Sequence, residues 1–387
     1  MSNEVVIVSA IRTATGKFRG VYKNTSAITL GMSALKKAIL DAHINPDEVE
    51  YTIMGNVLQS GLGQNPARQV AINAGIPVSK PALTVNEVCG SGLKAIHLGI
   101  QKILLGDYDI VAVGGFENMT QSPLLLDRFD PSNQKDSIYF DGLEDAFSRS
   151  SMGMTVEKLI EKHPVSRQEQ DLYAYHSQKR ASFATKNGYF KDQIVGVETE
   201  HGLILEDEPI RHETNLNKLS ELKTIFSDHG TITAGNASSI NDGASALILM
   251  SKKEAVRRNI PILATFKGFA EIGVDPEEMG IAPLHSIHKI LTQQKIELSD
   301  IDLFEINESF AGQVLLVSKP LNIPHEKLNV NGGAISLGHP IGSSGSRIIV
   351  SLVHELNRQK KKLGLASLCI GGGVGMSMLI EGNNYES

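Results

Sequence analysis

The stretch from Val85 to Gly92 places a cysteine where a thiol can act as a nucleophile. Cys89 stands in a Gly-Ser-Gly turn, directly before a segment whose apolar residues recur at helical spacing, and Gly106 is placed to end that helix. The free NH groups and the positive dipole end of a helix N-terminus stabilise anions such as a thiolate. The pattern predicts a nucleophilic cysteine with a lowered thiol pKa, and a buried structural cysteine is the alternative.

Three more polar turns lie in the second half of the chain. Asn307 opens an Asn-Glu-Ser-Phe turn, His339 lies in Gly-His-Pro-Ile-Gly-Ser-Ser-Gly, and Cys369 comes shortly before three glycines. Parallel α/β sheets bind ligands at the carboxyl ends of their strands, and we expect all three turns there. His339, flanked by glycine at the start of a helix, is a candidate general base, although an isolated histidine is more often structural.

Other kinds of site find little support in the sequence. The glycine clusters match neither the Gly-x-x-x-x-Gly-Lys-Ser/Thr nor the Gly-x-Gly-x-x-Gly phosphate loop. Cys89 and Cys369 are 280 positions apart, and the histidines have no zinc-binding spacing. The net charge of -6, without a dense run of Lys and Arg, argues against a nucleic-acid partner. We therefore expect neither a metal site nor a nucleic-acid interface.

The length and composition set outer limits on the fold. A chain of 387 residues suggests two or three domains, and 41% hydrophobic with 21% charged residues is typical of a globular protein. The longest apolar runs are about half of a bilayer span, so no membrane partner is expected. The start of the sequence lacks the features of a secretory signal, and two cysteines are too few for a disulfide framework. A cytoplasmic location is therefore expected.

The hydrophobic pattern predicts an α/β protein that contains a weak internal repeat. Apolar runs at 4–10, 49–54 and 110–113 predict strands, and periodic segments at 31–42 and 93–104 predict helices, which together are typical of a mainly parallel sheet. Five apolar positions recur 252 residues later, as from Ile44 to Ile296, and Gly92 corresponds to Gly345. We therefore expect two similar halves related by a pseudo-twofold axis, and chance similarity is the alternative.

The segment 119–240 between the halves has no counterpart in the repeat. One helix in it is well marked, because Ser166 and Glu169 form a capping box and Asn187-Gly188 lies at its far end. The segment is predicted to be an inserted lid or binding domain, since insertions of this size often carry a ligand.

Taken together, these motifs resemble the thiolases, most closely the biosynthetic acetoacetyl-CoA thiolases, over essentially the whole chain. The resemblance lies in four blocks in the same order: 86–92, 307–311, 331–345 and 369–375. It implies a layered α-β-α-β-α fold of two halves plus a loop domain that binds coenzyme A. The implied N-terminal half comprises 1–118 with 241–263, the loop domain comprises 119–240, and the C-terminal half comprises 264–387.

The resemblance implies a role for each residue of the four blocks. Cys89 would become acetylated, His339 would activate it, and Cys369 would remove a methyl proton from a second acetyl-CoA. Asn307 would hold a water that stabilises one oxyanion together with His339, and the backbone NH groups of Cys89 and Gly371 would bind the other. A Claisen condensation requires such donors, because two oxygens develop negative charge during the reaction.

The resemblance also implies a binding site for coenzyme A. Coenzyme A enters as part of the thioester substrates, and no resident cofactor is expected. The residues expected to contact it are Ser238, Arg211, Lys218, Met152, Phe226, Met279 and Phe310. The chain departs from the family in three places: Ser151 replaces a frequent histidine, Lys218 stands where some relatives carry serine, and Ser309 replaces the commoner alanine.

The implied function is an acetyl-CoA C-acetyltransferase that condenses two acetyl-CoA molecules to acetoacetyl-CoA and CoA through an acetyl-cysteine. The implied assembly is a homodimer or homotetramer. The main alternative is a degradative 3-ketoacyl-CoA thiolase that acts on longer chains. A ketoacyl synthase or hydroxymethylglutaryl-CoA synthase is disfavoured by the second cysteine, Cys369. A catalytically silent acyl-CoA or lipid carrier is disfavoured by the complete set of Cys, His, Cys and Asn.

Overall fold

The computed structural model describes residues 4–383, which form a mixed α/β protein. The strands are β1 Val5–Thr13, β2 Gly16–Lys17, β3 Tyr51–Gly55, β4 Ala82–Val85, β5 Ile110–Asn118, β6 Leu124–Leu126, β7 Gln134–Asp136, β8 Ile194–Val195, β9 Val197–Thr199, β10 Gly202–Ile204, β11 Asn241–Ser251, β12 Ala264–Gly273, β13 Leu303–Ile306, β14 Leu363–Ile370 and β15 Val374–Gly382.

The α-helices are α1 Ala27–Asp41, α2 Pro66–Asn73, α3 Ser91–Leu104, α4 Met152–Lys162, α5 Arg167–Lys186, α6 Leu216–Ser220, α7 Lys252–Arg258, α8 Ala282–Gln294, α9 Ala311–Ser318, α10 Ala334–Leu337 and α11 Ile341–Gln359. Short 3₁₀ helices include Pro276–Ile281, and Ile138–Leu143 is a π-helix. No helix of residues 4–383 is long and apolar enough to cross a membrane.

The central sheet is mixed, so the expectation of a mainly parallel sheet is wrong. Its main path runs β13-β14-β15-β12-β1-β11-β5-β3-β4, and along it only the outer pairs β13/β14, β5/β3 and β3/β4 are parallel. The reason is that β11 pairs antiparallel with β5, and β15 pairs antiparallel with β14. The glycines after β14 turn the chain directly into β15.

The strand order confirms the predicted pair of similar halves. The order β3-β5-β11-β1 in the first half is matched by β13-β14-β15-β12 in the second. In each series the first two strands are parallel and the later neighbours are antiparallel. The halves join through an antiparallel contact of β1 with β12, in which Val6 faces Thr265. Two equivalent units that meet in antiparallel fashion are the geometry that a pseudo-twofold axis requires.

Five layers follow from where the buried side chains lie. Helices α3 and α11 form the middle layer with apolar contacts to both halves of the sheet, while α1 with α2 and α8 with α9 cover the outer faces. At the crossing of α3 and α11, a Cβ on Gly92 would lie 2.6 Å from the Ser346 nitrogen, and one on Gly345 would lie 2.5 Å from the Leu93 nitrogen. The two repeat-related glycines therefore allow the central helices to touch.

Several local predictions hold with shifted boundaries. The capping box of Ser166 and Glu169 begins α5, Asn187 caps its end, and Gly106 has a positive φ of 78° after α3. Strand β5 continues through Gly114 to Asn118 instead of ending at the glycines. A Cβ on Gly114 would lie 2.1 Å from the Ser245 carbonyl oxygen, so this glycine permits close strand pairing and does not end the strand.

The segment 119–240 contains α4 to α6 and the short strands β6 to β10. Its long helix α5 is tied to the second half because Tyr173 and Ser177 donate hydrogen bonds of 3.0 and 2.7 Å to the buried Glu308. Strand β11, which follows the segment, pairs with β5 and β1 of the first half. The division into a loop domain at 119–240 and halves meeting at 263/264 stays a prediction.

Candidate active site

The turn that carries Cys89 is held in an unusual backbone conformation. Val88 has a φ of 46°, a left-handed value that is strained for a β-branched residue. The Ser91 hydroxyl stabilises the turn by accepting from the Glu87 NH at 2.8 Å and donating to the Val88 carbonyl at 2.7 Å. Helix α3 begins at Ser91, so Cys89 lies just before its N-terminus, as predicted.

The sulfur of Cys89 is surrounded by donors but withdrawn from solvent. The backbone NH groups of Cys89 and Gly371 hydrogen-bond the sulfur and lower its pKa. Loss of solvent, together with the nearby Cys369 and Glu117, outweighs them and raises the pKa to about 12. The prediction of a lowered thiol pKa is therefore wrong for the free site. The helix N-terminus supplies donors, but burial penalises the thiolate more strongly.

Cys369 lies at the end of β14, where Gly371 to Gly373 turn the chain into β15. Its side chain is buried, and the loss of solvent raises its pKa to about 11. The Cys89 turn packs on the same strand end, since a Cβ on Gly90 would lie 2.4 Å from the Ile370 side chain. Residues 280 positions apart in sequence are therefore neighbours.

His339 is buried, and its hydrogen bonds assign the proton to Nδ1. Ser344 donates its hydroxyl proton to the Pro340 carbonyl at 2.9 Å, so its oxygen accepts from Nδ1 of His339 at 2.5 Å. The loss of solvent and the charge of Arg347 lower the pKa of His339 to about 3. The imidazole is therefore neutral at physiological pH, and the lone pair of Nε2 faces the amide nitrogen of Asn307 at 3.5 Å.

Gly338 explains how His339 comes so close to β11. It has a φ of 93°, and a Cβ there would lie 2.6 Å from the side chain of Asn241. The same Asn241 accepts from the His339 backbone NH at 3.0 Å. A larger residue at 338 would displace the histidine.

Asn307 links the histidine to the second cysteine. Its Nδ2 lies 3.5 Å from Nε2 of His339 and donates to the Ser309 hydroxyl at 3.1 Å. The Ser309 oxygen in turn lies 3.6 Å from the sulfur of Cys369. Oδ1 of Asn307 is buried and has no hydrogen-bond partner among the described residues, which leaves one acceptor for a ligand. The contacts bring His339, Asn307 and Cys369 into one site.

A cleft leads from this site to the surface between the insertion and the two halves. A cavity of about 490 Å³ is lined by His339 and by most of the residues predicted to contact coenzyme A, namely Met152, Arg211, Phe226, Ser238 and Phe310. A second cavity of about 580 Å³ shares Arg211 and contains Lys218. The lining of the second cavity therefore carries two cationic side chains, Arg211 and Lys218, and one acidic side chain, Glu213.

The predicted binding residue Met279 and the family departure Ser151 lie in different surroundings. Met279 is buried in the core and is not among the residues that line the cleft. Ser151 lines the cleft and also caps α4 by accepting from the Met154 NH, so its hydroxyl is engaged in the helix start. Phe226 packs on Gly153, where a Cβ would lie 2.1 Å from its ring, and meets Phe310 edge to face.

Sequence reasoning missed Glu117, a buried carboxyl beside the Cys89 turn. It accepts hydrogen bonds from the Asn56 side chain and from the backbone NH groups of Val57, Leu58 and Gly342, at 2.9 to 3.2 Å. Burial raises its pKa to about 7. A Gly-Gly-Phe-Glu strand end carries no local signal of such a role, because its partners come from distant segments.

We expect Glu117→Ala to destabilise the protein by about 3 to 5 kcal/mol, because four buried donors lose their acceptor. Urea unfolding monitored by circular dichroism measures the change. Glu198→Ala, at an exposed position, is the control and should stay within about 0.5 kcal/mol of the parent. Equal stabilities of the two variants would show that Glu117 does not organise these segments.

Residues 4–383 hold no cluster of three or more His, Cys, Asp or Glu side chains that could bind a metal ion. The chemistry available to the site is that of two thiols, one neutral imidazole and several hydrogen-bond donors. This set suits acyl transfer through a thioester, in which one thiol attacks and other groups move protons and stabilise oxyanions.

Comparison with known proteins agrees with this arrangement. Residues 5–253 match the thiolase N-terminal domain and residues 260–382 match the thiolase C-terminal domain. A probable acetyl-CoA acyltransferase of Staphylococcus aureus strain N315 is 48% identical, in an alignment that covers 97% of this chain and 98% of the relative. The crystal structure of the Bacillus anthracis acetyl-CoA acetyltransferase has a TM-score of 0.96 and 39% identity, and 99% of each chain is covered. The chain belongs to the thiolase family of acyltransferases.

Proposed function

We propose that this thiolase is an acetyl-CoA C-acetyltransferase, which condenses two acetyl-CoA molecules to acetoacetyl-CoA and CoA and also catalyses the reverse thiolysis. The observation that carries the proposal is the series of contacts from His339 through Asn307 and Ser309 to Cys369, beside the sulfur of Cys89. It supplies two thiols with different surroundings, as the two halves of a Claisen condensation require.

In the first half-reaction, Cys89 attacks the thioester carbonyl of acetyl-CoA while Nε2 of His339 takes the thiol proton. Burial disfavours charge on both groups, since it raises the pKa of Cys89 and lowers that of His339. The thiolate and the imidazolium therefore form together as attack proceeds, each stabilising the other. The backbone NH groups of Cys89 and Gly371 then face the developing oxyanion. The bond from the carbonyl carbon to the CoA sulfur breaks next, and His339 returns the proton to the leaving CoA thiolate.

In the second half-reaction, Cys369 takes a proton from the methyl group of a second acetyl-CoA. The C–H electron pair forms the enolate, which attacks the acetyl group on Cys89, and the bond from that carbon to the Cys89 sulfur breaks. The buried Oδ1 of Asn307, unpaired among residues 4–383, is placed to hold a water that donates a hydrogen bond to the enolate oxygen.

The cleft supports a short acyl group bound to coenzyme A. Phe226 and Phe310 meet edge to face with ring centroids 6.0 Å apart, and Met152 lies against Gly371, which restricts the space near the cysteines. Arg211 and Lys218 at the outer end are suited to the phosphates of the nucleotide. Ser238, between them and the reacting centre, is a hydrogen-bonding group for the pantetheine chain.

The competing function is a degradative 3-ketoacyl-CoA thiolase with longer-chain substrates. The Staphylococcus aureus relatives are named for acyl transfer in general, which favours testing chain length directly.

We further infer that the protein acts in the cytoplasm as a homodimer or homotetramer. The hairpin of β6 and β7 and its turn expose Leu124, Leu126 and Phe129, which supports burial against another subunit.

We expect mixing with acetyl-CoA alone to leave one acetyl group on Cys89, measured by intact mass and peptide mapping after acid quench. A CoA-dependent cleavage assay over 3-ketoacyl-CoA chain lengths should then give the highest kcat/KM with acetoacetyl-CoA. Iodoacetamide should label mainly Cys89, the more exposed of the two cysteines, and prior acetylation should protect it. If intact mass shows no acetyl adduct, the result argues against covalent catalysis. If the cleavage assay shows a preference for longer chains, the result supports the degradative alternative.

A further inference from the structure

The hydroxyl group of Ser309 is a contact between Asn307 and Cys369 that the mechanism above does not use. Ser309 is 6% exposed and lies in the turn between β13 and α9. Its oxygen is 3.1 Å from Nδ2 of Asn307 and 3.6 Å from the sulfur of Cys369. Ser238 holds this turn from the cleft side, since its backbone NH donates to the Ser309 carbonyl at 2.9 Å.

The direction of these hydrogen bonds follows from the groups involved. An amide nitrogen can only donate, so the Ser309 oxygen accepts from Asn307. The single hydroxyl proton of Ser309 is then available to the Cys369 sulfur, which accepts it most strongly as a thiolate. The donor is fixed on a buried turn and loses little freedom when the thiolate forms.

We propose that Ser309 is a positioning residue that donates a hydrogen bond to the Cys369 thiolate and thereby accelerates removal of the α-proton in the second half-reaction. This inference rests on the proposed function. In that step the methyl C–H bond breaks, its electron pair forms the enolate, and the proton passes to the Cys369 sulfur. Ser309 keeps its own proton throughout and acts only through Cys369.

The pKa of Cys369 agrees with this role. Loss of solvent raises it to about 11, while the hydrogen bond from Ser309 and the backbone NH of Cys369 lower it. Because this pKa is well above neutral, a further rise lowers the thiolate fraction more than it raises the basicity of the remaining thiolate. Loss of the Ser309 hydroxyl should therefore slow proton removal.

The surroundings of Cys369 contain few competing charges. Cys89 is close enough to Cys369 that charge on Cys369 raises the pKa of Cys89. His339, with a lowered pKa, is neutral. Elements packed against β14 carry the charged or titratable residues Glu277, Glu278, His285, His288, Lys289, Glu305, Arg347, His354, Glu355, Arg358 and Glu381. Of these, Glu305, Arg347 and Glu355 are buried. Glu305 pairs with Arg347 at 3.7 Å, and Glu355 pairs with Arg358 at 2.5 Å.

The test compares Ser309→Ala with the parent protein in two separate half-reactions. Acetylation of Cys89 by acetyl-CoA, measured by rapid quench and mass spectrometry, should change by less than about twofold. Exchange of the acetyl methyl protons for deuterium at neutral pH should slow by about threefold to tenfold. The thiolate absorbance of Cys369, titrated in a Cys89→Ala background, should move to higher pH.

Two further variants distinguish this role from a general structural one. Ser309→Thr keeps a hydroxyl and should restore much of the exchange rate. Ser286→Ala removes a buried hydroxyl that bonds Ser377 at 2.7 Å and should leave both half-reactions unchanged. Unchanged exchange in Ser309→Ala, or equal loss of acetylation and exchange in both Ser309 variants, overturns the inference. A parent protein that never acetylates Cys89 instead refutes the proposed function.

Discussion

Replacing Cys89 by alanine should abolish both condensation and thiolysis, with a loss of about 10⁴-fold or more. The first half-reaction has no other thiol in place, because Cys369 is buried and hydrogen-bonded to Ser309 and lacks the donors that face the Cys89 sulfur. The measurement combines acetoacetyl-CoA thiolysis with intact mass after mixing with acetyl-CoA. Neither activity nor an acetyl adduct should be detected.

The matched control for this variant is Cys369→Ser, which changes the other sulfur. It should still accept an acetyl group on Cys89, but should turn over about 10²- to 10⁴-fold more slowly, the usual contribution of a general acid or base. An acetyl adduct on Cys89→Ala, or near-normal condensation by Cys369→Ser, would reverse the assigned roles. Circular dichroism checks that both variants remain folded, since each change removes little volume.

The second large effect is expected for His339→Ala, which removes the group placed to take the thiol proton. Burial holds the pKa of Cys89 at about 12, so the thiolate is scarce at neutral pH unless a base assists. Acetylation of Cys89 should slow by about 10²- to 10⁴-fold. In this variant the acetylation rate should rise about tenfold per pH unit below pH 12, because hydroxide then removes the thiol proton in place of the missing base.

The parent protein should behave differently over the same pH range. His339 has a pKa of about 3, so it stays neutral down to that pH and should produce no acid limb between pH 6 and 7. His354→Ala is the control, because it removes another histidine associated with α11, whose Nε2 donates to the Ala10 carbonyl at 2.8 Å. A His339→Ala protein with normal acetylation, or a parent with an acid limb assigned to His339, would contradict this scheme.

Local features of the site were predictable from the sequence because neighbouring residues determine them. The Cys89 turn, the helix after it, the capping box of Ser166 and the glycine at 106 are all in the structure at or near their predicted places. The repeat was visible because two equivalent layers need the same apolar spacing. It assigned the Cys89 turn to one half and the His339 and Cys369 turns to the other, and the structure packs the Cys89 turn against the end of β14.

The charge states of the site could not be read from the same pattern. A helix N-terminus predicts a lowered pKa for Cys89, yet the pKa depends on how many groups from elsewhere exclude solvent from the sulfur. Glu117 was missed as a site residue for a related reason, and Ser309 was noted only as a replacement for alanine. The partners of Glu117 and the Cys369 partner of Ser309 lie in other segments, so no spacing along the chain marks these contacts.

By itself, the sequence determined the two similar halves, the order of the four motif blocks and the residue types that the proposed chemistry uses. Only the tertiary structure decided that β11 and β15 run antiparallel to their neighbours, that Met279 belongs to the core, and that Ser309 bridges Asn307 and Cys369. The physical reason is the distance along the chain over which each interaction acts. Periodicity and turn chemistry act over a few residues, whereas strand direction, desolvation and hydrogen bonds between distant segments arise only when the chain is packed.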